Sequence, residues 1–205
     1  MKTWLIRVLL PARVPGQQIP EVNDLKEVEA MLEERVLMPS LSDRYRRWFE
    51  YERESHAKVL ASLESVPEAQ RVSEAFQKAA GLLAHVVLAR WLWLARLGVV
   101  PRERAPSKPE DFFPRDVSLA DLRSSLGEME RAWESYLSGM DDAELSRVFE
   151  YQALDGSRFR NTIEDILTQL FGHSWYHRGQ IAQLVRGLGA APAVTDFVFW
   201  SREAL

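Results

Sequence analysis

Apolar positions recur at helical spacing in four long stretches of the chain and alternate in one short one. From about Ser42 to just before Pro67, the residues Tyr45, Phe49, His56, Val59, Leu60 and Leu63 fall where one helical face would present them. From about Ser73 to Leu97 the chain is apolar nearly all round, with Phe76, Leu82, Leu83, Val86, Val87, Leu88, Trp91, Leu92, Trp93 and Leu94. Such a helix belongs at the centre of a core, and Gly98 followed by Pro101 supplies its stop signals. Ser118 opens a third helix, with Asp121 at the capping-box offset and a stripe of Leu122, Leu126, Met129, Trp133 and Leu137. Residues 146–160 lose the helical period, and Asp155-Gly156 between two alternating runs predicts a β-hairpin. A fourth helix is expected from Asn161, with Glu164 at the capping-box offset, to about Leu188, where Gly189 and Pro192 end it.

These elements predict an all-α fold over residues 41–205, a four-helix bundle with a short β-hairpin before its last helix. Residues 98–117, with Pro101, Pro106, Pro109 and Pro114, form its long crossover. Residues 1–40 read as a separate appendage: a short apolar, strand-like segment, a loop over residues 11–24 with three prolines, and a short helix over 25–36 carrying Val28, Met31, Leu32 and Val36. The first apolar run is broken by Arg7, is too short to span a bilayer and is followed by no small-residue cleavage site. No signal peptide, anchor or membrane association is therefore expected, and the cytoplasm is the expected location.

Composition narrows the chemistry. With 26 Lys+Arg against 30 Asp+Glu and a net charge of -4, the chain has no basic excess to neutralise phosphates, so no nucleic-acid partner is expected. The basic cluster Arg44, Arg46 and Arg47 lies among Asp43, Glu50, Glu52 and Glu54 and reads as a solvated helix face. There is no cysteine, which excludes disulfides, Cys-ligated zinc, iron–sulfur clusters and a cysteine nucleophile. Any metal must be held by His, Asp or Glu, and the histidines are His56, His85, His173 and His177.

His173 and His177 stand four residues apart in the fourth helix, so they point the same way one turn apart and suit a single ion. Such a pair is also common without any ion. Ser174 stands where a zincin HExxH motif carries its Glu, so metalloprotease chemistry of that kind is unsupported. His85 sits in the middle of the most apolar helix, where a histidine has to be satisfied by hydrogen bonds or by a metal. Taken with the pair on the other inward-facing helix, it suggests a site of three histidines. His56 is more simply structural.

The run His173-Ser174-Trp175-Tyr176-His177-Arg178-Gly179-Gln180-Ile181 resembles the fourth-helix signature of the bacterial DinB (DinB/YfiT-like) superfamily. Leu83-Ala84-His85-Val86-Val87, followed by Trp91-Leu92, is similar to that family's second-helix histidine segment, and the tail from Leu188 to Phe197 resembles its ending. The resemblance spans about Ser42 to the C-terminus. It implies an up-down-down-up bundle that binds one divalent ion through His85, His173 and His177; by ligand chemistry zinc, nickel or iron would each accept imidazoles. It also implies a low-molecular-weight thiol as co-substrate, because family members of known activity include thiol S-transferases and a thiol-dependent isomerase. Three neutral imidazoles leave zinc an open fourth position, which can take a water or a thiol.

The expected function is therefore metal-dependent activation of a thiol or water on a small-molecule substrate, as an S-transferase, isomerase or hydrolase. The alternative is a metal-binding stress or regulatory protein without turnover, and no residue is identifiable as a catalytic acid or base. Gln169 and Gln180, one turn outside the pair, are candidates to orient a ring N–H. Gly179 is expected to permit close helix packing, Arg178 to make an ion pair, Trp175 and Tyr176 to be core or interface aromatics, and Asp196 to be a cap or loop residue. Seven tryptophans, more than a small bundle core holds, point to a homodimer.

Overall fold

A computed structural model describes residues 39–204, so the features expected of the N-terminal appendage lie outside the described residues. Four long helices form the bundle: α1 (Leu41–Glu64), α2 (Glu74–Arg96), α3 (Leu119–Ser138) and, after a short α4 (Asp142–Ser146) and a hairpin, α5 (Ile163–Gly187). The hairpin strands are β1 (Val148–Gln152) and β2 (Arg158–Thr162), and a short α6 (Phe197–Ser201) follows α5. α1 and α2 stand diagonally, each packed between α3 and α5.

The helix starts follow from side-chain caps that satisfy orphan backbone N–H groups. Ser40 caps α1 in a reciprocal box with Asp43, and Ser73 caps α2 by accepting from the Phe76 N–H. Ser118 caps α3 as expected, but only the hydroxyl half of the box forms. The last helix starts one residue later than its sequence pattern suggests, with Thr162 and Asp165 forming the reciprocal box instead of Asn161 and Glu164. Sheet pairing decides this: β2 stays extended through Thr162, which faces Val148, and Asn161 accepts a hydrogen bond from Tyr151. Gly156 closes the hairpin turn at φ +88° and Gly189 ends the α5 region at φ +78°, conformations that suit glycine. The five-residue α4 was too short to leave a periodic signal; Asp142 ties it to the start of α1 by accepting from the Leu41 and Ser42 N–H groups.

Leu63, Leu83, Leu94, Met129, Trp133, Ile163 and Val185 are fully buried in the core. α2 is the one described helix long and apolar enough to cross a membrane, and 72% of its apolar window is buried inside the bundle. One expectation fails here. Glu52, read from sequence as part of a solvated charged face, is fully buried and forms an ion pair with Arg90, whose guanidinium lies 5.7 Å from the Trp133 ring centroid and 5.5 Å from that of Phe171. It occupies the α1 stripe between Phe49 and His56, so helical geometry sends it inward whatever its charge.

His56 is also fully buried, with Nδ1 3.2 Å from Glu130 on α3. Burial, followed by the charges of Arg90 and Arg178, pushes His56 well below the usual histidine range, so the ring is neutral. Burial raises Glu130 from 4.5 to about 7, helped by Glu52 and Glu134 and opposed by Arg53 and Arg90. Because the folded state holds the Glu130 proton more tightly than the unfolded state does, this stabilisation is complete below about pH 4.5 and is lost as pH rises through 7. Glu130→Gln should therefore gain about 2 kcal/mol over the parent at pH 8 and little at pH 4.5, as read by urea unfolding at the two pH values. Equal gains at both would show that Glu130 is not the titrating group.

Candidate metal centre

α5 sets His173 and His177 one turn apart, and α2, packed against α5, brings His85 to the same point. The Nε2 of His173 lies 2.9 Å from that of His85 and 3.0 Å from that of His177. One nitrogen from each ring falls within 4.8 Å of the other two, and the group contains no carboxylate. His85 and His177 are buried and His173 is half-buried.

The outer nitrogens decide what the inner ones can be. His85 Nδ1 donates to the backbone carbonyl of Phe112 at 3.0 Å, and His177 Nδ1 donates to Gln180 Oε1 at 2.8 Å. A carbonyl can only accept, so each Nδ1 carries the hydrogen and each Nε2 of a neutral ring presents a lone pair. Two lone pairs thus converge on His173 Nε2, where a single proton could serve only one of them well. Adding charge is unfavourable: burial first, then His177 and His85, push His173 down to about 4, and burial also lowers His85. The inner nitrogens of the three rings are aimed at one point, and the group could hold a metal ion.

The ring of Phe113 stacks on His85 with centroids 4.3 Å apart and planes 8° from parallel. Phe112 and Phe113 belong to the crossover, where a 3-10 turn over Pro109–Phe112 delivers the carbonyl that orients His85. No sequence signal marks them, since any residue could supply a backbone carbonyl.

The other expected site residues divide. Of the two glutamine candidates, Gln180 accepts from His177 Nδ1, whereas Gln169 faces a separate cavity bordered by Trp93, Tyr151 and Asp165. Among the described residues Arg178 makes no ion pair; it is buried and donates to the Tyr51 hydroxyl at 2.6 Å. Among the described residues a Cβ on Gly179 would meet nothing within 4 Å, so no close helix packing there uses this glycine. Trp175 and Tyr176 are 43% and 65% exposed and so lie outside the core. Asp196 is the N-cap residue of α6, without a side-chain cap bond. His56 stays apart from the three histidines, paired with Glu130.

The model of the DinB family matches residues 38–204, which contain all three histidines. The chain belongs to the DinB family. This DinB-family protein is similar to Protein DinB of Bacillus subtilis (strain 168), with 23% identity over 161 residues that cover 77% of the chain and 93% of the relative.

Proposed function

We propose that this DinB-family protein binds one divalent ion, of zinc, nickel or iron, through the Nε2 atoms of His85, His173 and His177, and activates a small thiol or water there for transfer to, or hydrolysis of, a small-molecule substrate. The observation that supports it is the convergence of three imidazoles, two of which, His85 and His177, have their outer nitrogens committed to Phe112 O and Gln180 Oε1. An ion bound by three imidazoles would supply a Lewis acid with an open position, where a coordinated water or thiol loses its proton near neutral pH. The protein's own part is to hold the His85 and His177 rings in one tautomer and to stack Phe113 against His85. Sulfur chemistry would need a small-molecule thiol, because the chain has no cysteine.

The reading is tested with protein loaded with cobalt and titrated with 2-mercaptoethanol. A near-ultraviolet sulfur-to-cobalt band in the parent, absent in His85→Ala, is expected. Turnover of a model electrophile with the thiol would establish the enzyme, and metal uptake with no thiol band would favour a non-catalytic metal-binding protein.

A further inference from the structure

Two exposed aromatic rings flank the three histidines. Phe113, from the crossover, stacks on His85 of α2 with centroids 4.3 Å apart, and Tyr176 sets its ring 5.1 Å from that of His177 on α5, at 71°. Tyr176 follows His173 by three residues, about 60° around α5 on the side away from His177, which places it on the outer edge of the histidine face. Both residues stay largely in solvent, Phe113 at 58% and Tyr176 at 65% exposure, and His173 between them is only half-buried.

Burial does not hold Phe113 in place; its backbone does. On one side of it in the chain, the Phe112 carbonyl accepts from His85 Nδ1. On the other, the Pro114 carbonyl would stand 3.1 Å from a Cβ on Gly81, one turn before His85, so glycine lets the loop settle on α2. One face of the Phe113 ring lies on His85, in planes 8° from parallel, and the ring is otherwise uncovered.

Other partly exposed rings of this protein are covered by guanidinium groups. Arg96 lies 4.8 Å from the Trp93 ring centroid and 4.9 Å from that of Tyr151, and Arg202 lies 4.6 Å from that of Phe199. Among the described residues no cation covers Phe113 or Tyr176, and the two rings do not touch each other. Their free surfaces therefore stand bare beside the point on which the histidine nitrogens converge. A divalent ion held there would repel a cationic group brought above it, so these surfaces suit an uncharged flat ring.

We propose that the small-molecule substrate carries an uncharged aromatic ring, which packs between Phe113 and Tyr176 over the three histidines. The proposal rests on the reading above in taking the histidines as the reacting end. Stacked and edge-to-face pairs stabilise an aromatic ring beyond the area they bury, so a flat ring is selected over a puckered one of the same size.

The full chain loaded with cobalt is titrated with benzohydroxamate and with cyclohexanecarbohydroxamate, which offer the metal the same group on a flat and on a puckered ring. Benzohydroxamate should bind about 10-fold more tightly. That ratio should fall toward one in Phe113→Leu and in Tyr176→Leu, and stay unchanged in Phe159→Leu, which removes a ring 51% exposed on the hairpin. Equal binding of the two probes by the parent, or a ratio that survives both substitutions, would overturn the proposal. Saturation-transfer NMR of the metal-free chain with benzamide and cyclohexanecarboxamide reads the same preference without a metal. In a chain that takes up no cobalt, a benzamide preference lost in the two variants would support the aromatic site and overturn only the metal reading, whereas no preference would overturn both.

Discussion

His173→Ala should abolish retention of a divalent ion, from about one per chain to none after dialysis against a weak chelator, while His56→Ala retains it. His173 is the ring on which the other two converge, at 2.9 and 3.0 Å, so its removal takes away the shared apex of the group. Losing a group that only supports a ligand costs about 10–100-fold in metal affinity, and losing a ligand should cost more than about 100-fold. His56 serves as the control because it is buried against Glu130 on α3 and is not part of the three-histidine group. Elemental analysis and competition titration of both variants check the result. Metal retained by His173→Ala and lost by His56→Ala would reverse the assignment.

The second large effect concerns stability. Glu52→Ala should destabilise the protein by about 3–5 kcal/mol, because it leaves the Arg90 guanidinium buried without its carboxylate. Replacing both partners by apolar residues of similar volume, Glu52→Leu with Arg90→Met, should be near neutral or stabilising by about 1–4 kcal/mol. The difference arises because most of the single-variant cost is the desolvation of an orphaned charge and not the intrinsic worth of the pair. Urea unfolding of the parent, the single variant and the double variant reads both values. A loss below about 1 kcal/mol in Glu52→Ala would mean that water reaches Arg90 once the carboxylate is gone.

The bundle was largely legible because its signals are local. Ser73 and Ser118 mark real helix starts, Asp155-Gly156 marks a real hairpin turn, and the first helix, expected from about Ser42, begins at Leu41 under a Ser40 cap. The one-residue shift at the start of α5 was not legible locally, since Asn161 and Thr162 are both acceptable caps and only pairing of Thr162 with Val148 selects between them. Glu52 was misread for a related reason. Charge argued for solvent, but the α1 stripe through Phe49 and His56 faces the core, and Arg90 on the diagonally placed α2 supplies the partner that makes a buried carboxylate tolerable.

The same division holds at the candidate site. By itself the sequence determined that any metal ligands would be nitrogen or oxygen, because there is no cysteine, and that His173 and His177 would share a helical face, because their spacing is close to one turn. Only the tertiary structure decided that His85 meets them and His56 does not, that Gln180 and not Gln169 orients a ring, and that the crossover brings the Phe112 carbonyl and the Phe113 ring to His85. Periodicity fixes directions around one helix axis, whereas which helices face one another, and at what height, depends on packing between segments far apart in the chain.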